Sequence, residues 1–179
     1  KFINSFFTLP KIDSPGFRYN SDLGGSALLD IGIYPISLCL GLMGYQKPEL
    51  VSTTLFFEEG SEVDTGGYAI CQFASGAICN FVWGMNLGYR NDLDILTKNG
   101  SLFTEKIFSK DPSFRPLIQL KDENGNESKI YSNQSNHFTA MFDHFSSLLN
   151  DSNKEKEEKD RILSLSEAID AFRNLGLKD

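Results

Sequence analysis

The chain has 179 residues, 40% of them hydrophobic and 23% charged, with a formal net charge of −7. One globular domain of this size buries roughly 70% of its extended-chain surface, so neither a disulfide nor a metal is needed to fold it. The acidic sign argues against a phosphate-backbone binder, whose affinity comes from clustered Lys and Arg.

The order of apolar and turn residues gives a sequence of elements. No apolar run is expected to reach the length of a membrane span, and no signal-peptide pattern opens the chain. Residues 2–9 read as a strand. Lys1 is no initiator, and Phe2-Ile3-Asn4-Ser5-Phe6-Phe7 starts mid-strand in character, so the sequence is expected to be cut at its N-terminus. Residues 10–22 read as loop, punctuated by Pro10, Pro15 and Gly16. From Gly24 to Gly44 apolar residues cover nearly the whole helical circumference, the pattern of a buried helix. Pro35 would cost a hydrogen bond inside one continuous helix but is comfortable in a first turn. The spacing therefore predicts a short helix to about Ile31 and a second from about Pro35 to Leu42, ended by Gly44.

From residue 48 to about 132 the period changes to two. Val51–Glu58 reads as one strand. Val63–Phe73 and Ala77–Leu87 flank Ser75-Gly76, Asp92–Thr97 and Leu102–Phe108 flank Asn99-Gly100, and Leu117–Lys121 and Ser128–Tyr131 flank Asp122–Asn126. Each pair is a hairpin signal, and successive hairpins make an antiparallel sheet. Phe138, Met141, Phe142, Phe145, Leu148 and Leu149 recur at three and four, marking an amphipathic helix. The charge run Lys154–Arg161 reads as a linker or helix start, and Ile162, Leu165, Ala168, Ile169 and Phe172 mark a last helix. The fold class expected is α+β: an open, mostly antiparallel β-sheet with helices on one face. The other face is expected to be apolar and used in self-association, because Phe56, Phe73, Phe81 and Trp83 cannot all point one way.

Three cysteines make no disulfide framework. Cys71 and Cys79 flank a turn and are expected to be near neighbours, reduced and half-buried, in a cytoplasmic setting. His137 and His144 stand seven apart with no Cys or His at ligand spacing, so no metal site is expected.

The sharpest chemical feature is Asp30-Ile31-Gly32-Ile33-Tyr34, where helical spacing puts a carboxylate and a phenol on one face. Tyr34 would suit as proton donor to an alkoxide formed during carbonyl reduction. From spacing alone the more ordinary reading is a buried Tyr bonded to a helix-terminal Asp. Gly24-Gly25 permits close approach of another backbone or a flat ligand, or is a plain helix-entry turn. Arg18 in Phe17-Arg18-Tyr19 could clamp a phosphate or carboxylate, or form a surface ion pair. Tyr89-Arg90-Asn91 joins a stacking ring to two polar side chains, a candidate sugar or nucleotide contact or an ordinary strand end. No G-x-G-x-x-G follows a strand, so no dinucleotide fingerprint is present.

The order Phe17-Arg18-Tyr19, then Leu23-Gly24-Gly25-Ser26-Ala27-Leu28-Leu29-Asp30-Ile31-Gly32-Ile33-Tyr34-Pro35, resembles the opening of the C-terminal domain of the glucose-fructose oxidoreductase/inositol dehydrogenase (Gfo/Idh/MocA) family. Tyr89-Arg90-Asn91 to Asn99-Gly100-Ser101-Leu102 also fits, and the tyrosine form of the motif is similar to members that reduce keto groups of nucleotide-linked sugars. It is shared with glucose-fructose oxidoreductase and dihydrodiol dehydrogenases. The resemblance implies a substrate-binding and oligomerisation domain over residues 1–179. Its partner would be a Rossmann domain, not in this chain, that binds NAD or NADP and carries a catalytic lysine. It implies Tyr34 as proton donor or acceptor, Asp30 as its acidic partner, and Arg18 and Gly25 near the cofactor. Tyr19, Tyr89 and Arg90 would meet a sugar substrate. The isolated chain would then be inactive. A free-sugar, polyol or dihydrodiol dehydrogenase domain is the alternative within the family. A non-catalytic oligomerisation or binding module is the alternative outside it.

Overall fold

The structure, a computed structural model, describes residues 1–14 and 16–177. Pro15, one of the expected loop punctuation residues, lies outside them. The chain begins with β1 (Phe2–Thr8), in which Ile3, Ser5 and Phe7 are buried and alternate with Phe2, Asn4 and Phe6. After two short 3₁₀ turns comes a helical run, Leu28–Gly32 continuing into α1 (Ile33–Leu42). Then follow β2 (Glu49–Phe56), β3 (Gly66–Gln72), β4 (Ile78–Gly84), β5 (Arg90–Thr97), β6 (Gly100–Glu105), β7 (Leu117–Asp122) and β8 (Glu127–Tyr131). Two helices close the chain, α2 (His137–Leu148) and α3 (Ser152–Gly176), the latter taking in the charge run from its first turn, with Asp151 as its cap.

The strands form one open sheet in the order β2-β3-β4-β1-β5-β6-β7-β8. Every pairing is antiparallel except β1 with β4. The expected α+β sheet is therefore present, with β1 inserted between two strands that follow it in the chain. The three predicted turns fall where expected. At Asn99-Gly100 only glycine serves, because Gly100 has φ 140° and an added Cβ would lie 2.0 Å from the Lys121 carbonyl oxygen.

Two predicted boundaries move. The strand expected from Val63 begins at Gly66, because residues 63–65 turn aside to grip the helix entry described below. The expected pair of helices is one unbroken run: Leu28–Gly32 is π-wound, with the Ile33 N–H reaching Leu28 O, and α1 follows without a gap. The wider π turn admits the Pro35 ring without a break, since the proline has no N–H to place.

Ser21–Leu42 is long and apolar enough to cross a membrane, which corrects the expectation that no such run exists. Half of its most apolar window is buried within this domain. Leu28, Ile31, Ile36, Cys39 and Leu40 face the sheet together with Trp83, Phe81 and Phe172. Trp83 is fully buried. Gly32 and Gly67 close on its indole, where Cβ atoms would lie 3.0 Å from Cγ and 2.5 Å from Cζ2. Phe81 meets Phe172 of α3 edge-on at 5.8 Å.

Cys71 and Cys79 do oppose each other in the β3–β4 ladder. All three cysteines are buried rather than half-buried, and Cys79 also lies beside Cys39 of α1, with Cα atoms 7.1 Å apart. Cys71 stays a free thiol, and burial pushes it up to about 12.

The outer face of the sheet carries Phe2, Phe56, Tyr68 and Leu96 exposed. A polar ladder crosses it, the Asn80 amide donating to Asn4 at 2.7 Å and the Asn4 amide to Asp94 at 3.4 Å.

Candidate active site

The helix that carries Asp30 and Tyr34 is held at its entry by a residue far away in sequence. The buried carboxylate of Asp64 accepts the Leu28 N–H at 2.7 Å and the Ser26 hydroxyl at 2.5 Å. Its carbonyl takes the Ala27 N–H at 2.9 Å. A carboxylate on the first free N–H groups of a helix caps it and suits its dipole. Gly25 lies against the preceding turn, where a Cβ would sit 2.6 Å from the carbonyl oxygens of both Phe17 and Arg18. Its missing side chain is thus used by backbone, and this packing sets Arg18 beside the helix.

Arg18 Nε meets Asp30 Oδ2 at 2.8 Å, with the two side chains one-third and one-fifth exposed. The guanidinium also lies 5.0 Å from the Phe17 ring. Tyr34 is 47% exposed, so its phenol is not sealed in hydrocarbon. Its ring is steadied by the edge-on face of Phe7 at 5.4 Å and by Phe108 at 6.2 Å. Asp30, Tyr34 and Arg18 line one cleft of about 470 Å³. Phe7, Leu9, Phe108 and Met141 give it apolar walls, and Lys110 and His137 stand at it as further polar groups. The arrangement offers one half-exposed phenol for proton transfer and a cation held in place by a carboxylate.

The other expected residues lie apart from this cleft. Tyr19 packs against the core, and burial, with Glu58 second, holds its phenol above the usual value. Arg90 lies on the outer face, paired to both oxygens of Asp92 at 2.5 and 2.7 Å and stacked 4.1 Å from the Phe6 ring. Its bonds to Asp92 raise its pKa further. Tyr89 accepts from the Asn91 amide at 3.2 Å.

Asn91 is the member of that triplet that acts on the site. Buried beside β6, it accepts the Phe108 N–H at 2.8 Å and donates to Ser109 O at 2.9 Å, fixing the loop that supplies Phe108, Ser109 and Lys110 to the cleft. The triplet was visible in the sequence, but which of its side chains turns inward depends on β5 alternation and register. Asn91→Ala is expected to cost about 1–3 kcal/mol, the loss of two hydrogen bonds of a buried side chain at about 0.5–1.5 kcal/mol each. It should also free the Phe108 amide to exchange, and hydrogen exchange showing that amide still protected would contradict the assignment.

Among the described residues no group of three or more His, Cys, Asp or Glu side chains could hold a metal ion. His144 meets Glu158 at 3.1 Å. For a dinucleotide, the chain offers Arg18 and the Tyr34 edge of the cleft, while the close approach permitted by Gly25 is taken by the 17–20 turn.

Sheet, helices and cleft together define an α+β open-sheet domain with a phenol, a carboxylate and a guanidinium at the mouth of β1. The sequence model described as the GFO/IDH/MocA C-terminal domain matches residues 1–103, more than half of the chain, and the chain belongs to that family. It is 30% identical over 124 residues to a dTDP-3,4-didehydro-2,6-dideoxy-alpha-D-glucose 3-reductase of Actinomadura kijaniata, covering 69% of this chain and 37% of that protein. The enzyme of the same name from Streptomyces violaceoruber is 31% identical over 129 residues, 72% of this chain and 37% of the relative. Among solved structures, KijD10, a 3-ketoreductase from Actinomadura kijaniata in complex with NADP and TDP-benzene, superposes with a TM-score of 0.86 at 24% identity. The match covers 97% of this chain and 53% of that one. An aldose-aldose oxidoreductase from Caulobacter crescentus, complexed with glycerol, gives 0.76 at 21% identity, over 98% and 54% of the two chains. These likenesses establish the fold of the whole sheet, including β7, β8 and both closing helices. The chain spans about 37% of the length of the curated relatives it matches and about half that of the solved structures.

Proposed function

We propose that this chain is the substrate-side domain of an NADP-dependent ketoreductase acting on a nucleotide-linked keto sugar, and that by itself it is inactive. The observation that carries this is the half-exposed Tyr34 phenol, in one cleft with the Arg18–Asp30 pair, within the Gly-Gly to Tyr-Pro block. When bound, the reduced nicotinamide supplies the hydride to the carbonyl carbon. Tyr34 gives its proton to the oxygen as the alkoxide forms, and water returns a proton to the phenolate. Asp30 holds Arg18 against the helix, and Arg18 with Lys110 and His137 supplies the cleft with donors for a phosphorylated substrate. Phe7, Phe108 and Met141 give the reacting face apolar walls.

The full-length protein is expected to oxidise NADPH with a nucleotide-linked keto sugar and far more slowly with free aldoses or polyols, while the 179-residue chain alone gives no turnover. A preference for the free sugar would shift the assignment to the aldose-type members. NADPH oxidation by the chain alone would end the claim of a shared site.

The exposed Phe2, Phe56, Tyr68 and Leu96 favour a second role, joining copies through the outer sheet face. Sedimentation of the full-length protein as a monomer would remove that role.

A further inference from the structure

The polar groups of the cleft come from two segments, Asp30 and Tyr34 from the helical run and Arg18 from the turn before it. One stretch of chain grips both: residues 61–65, in the loop that joins β2 to β3. This stretch is tied into the sheet, the Thr65 N–H donating to Phe56 O at 2.8 Å and the Met85 N–H to Thr65 O at 2.8 Å. Its two carboxylates turn to the helix entry. Glu62 accepts the Ser21 hydroxyl at 2.6 Å, and Asp64 accepts the Ser26 hydroxyl on one oxygen and the Leu28 N–H on the other. The grip therefore closes on either side of Gly24-Gly25, and Gly25 in turn seats the turn that carries Arg18. Asp64 also governs more of the helix than one cap would. Ser26, which it holds, takes the next two N–H groups, Leu29 on the hydroxyl at 3.2 Å and Asp30 on the carbonyl at 3.0 Å. With Ala27 on the Asp64 carbonyl, all four N–H groups from Ala27 to Asp30 end on Asp64 or on the serine it holds. The π-wound turn Leu28–Gly32 starts within this clamp, a rare winding that is frequent at functional sites.

We propose that Asp64 is a positioning residue for the reaction at Tyr34, a proposal that rests on the ketoreductase function above. Asp64 is 6% exposed, and a carboxylate is costly to bury. Serine or asparagine caps a helix about as well without a buried charge, so capping alone does not call for an acid here. What a carboxylate adds is a second accepting oxygen and the stronger, charge-assisted bonds that fix geometry. A proton donor works only within hydrogen-bond reach of the oxygen it serves. The helix that carries Tyr34 is held from beyond by the buried Ile36 and Leu40, and from before by Asp64. Tyr34 stands four residues past Asp30, the last N–H in the clamp, so the entry sets where the phenol meets the cleft.

The test uses the full-length protein, at a temperature where each variant is folded by circular dichroism. Asp64→Ala is expected to lower turnover by roughly 100-fold, the cost of a misplacement of about 1 Å, with KM changed far less. Asp64→Asn, which keeps one oxygen for the Leu28 N–H, should recover most of that loss. Added to Tyr34→Phe, Asp64→Ala should slow the enzyme by no more than a few-fold, because it acts through the phenol. A merely structural effect would instead multiply in full. Turnover within a few-fold of wild type in folded Asp64→Ala overturns the proposal, and so does full multiplication in the double variant. Should Asp64→Ala not fold, Ser26→Ala removes one hydroxyl of the same clamp and takes its place in the cycle, read in the same way. Should the wild type reduce no keto sugar, or Tyr34→Phe leave turnover unchanged, the ketoreductase reading fails by itself. The fluorine resonance of fluorotyrosine placed at position 34 then decides. A resonance moved by the clamp variant keeps the positioning, and an unmoved one overturns it as well.

Discussion

Tyr34→Phe in the full-length protein is expected to lower turnover by roughly 10²–10⁴-fold, the range supplied by a positioned acid or base. The substitution removes one hydroxyl and keeps the ring. The contacts that seat that ring, Phe7 at 5.4 Å and Phe108 at 6.2 Å, are ring contacts and survive. Among the described residues the hydroxyl makes no hydrogen bond on which the fold depends, and the side chain is half-exposed, so thermal stability should hardly move. KM should change little, because the proton moves only as the alkoxide develops and the phenol's main effect is on the transition state. Steady-state kinetics on purified full-length enzyme separates the outcomes. Turnover within a few-fold of wild type would remove Tyr34 from proton transfer and leave the family fold without its expected donor. A raised KM with unchanged turnover would instead make the phenol a binding group.

Trp83→Ala carries the largest expected effect on stability, a loss of about 3–5 kcal/mol. Trp83 is fully buried, and its neighbours cannot collapse into the space it would leave. Gly32 on the helical run and Gly67 on β3 already approach the indole with backbone, so filling the hole would require the helix to move toward the sheet. Trp83 also pairs in register with Phe7, whose ring braces Tyr34. A shift there would loosen the cleft as well as the core. Urea unfolding should show a lower midpoint at unchanged slope. A loss under about 1 kcal/mol would mean that the site repacks, contrary to the cavity behaviour of rigid cores. Trp83→Phe, which keeps a ring in the layer, should cost less.

The candidate site was legible in part. Asp30 and Tyr34 are four apart on one helical path, so local spacing was enough to bring them to one side. Arg18 reaches Asp30 only because Gly25 lets the 17–20 turn lie against the helix entry, a backbone packing that leaves just a Gly-Gly pair as its trace. Asp64 had no local signal, since a carboxylate in a loop becomes a helix cap only when the loop folds back 36 residues to Leu28. Tyr19, Tyr89 and Arg90, read as sugar contacts, stand outside this cleft, where Tyr19 packs against the core, the Tyr89 hydroxyl takes the Asn91 amide and Arg90 pairs with Asp92.

The sequence by itself determined the elements that depend on near neighbours: the alternating strands, the hairpin turns at Gly76, Gly100 and Gly125, and the amphipathic stripes of the closing helices. It also determined the phenol–carboxylate pair, because helical periodicity acts within a single turn. Tertiary structure alone decided that β1 enters between β4 and β5, that Cys79 meets Cys39, and that the outer face holds Arg90 rather than the cleft. Each of these depends on which distant segments pair and in what register, and a one-residue change of register reverses every side chain in a strand.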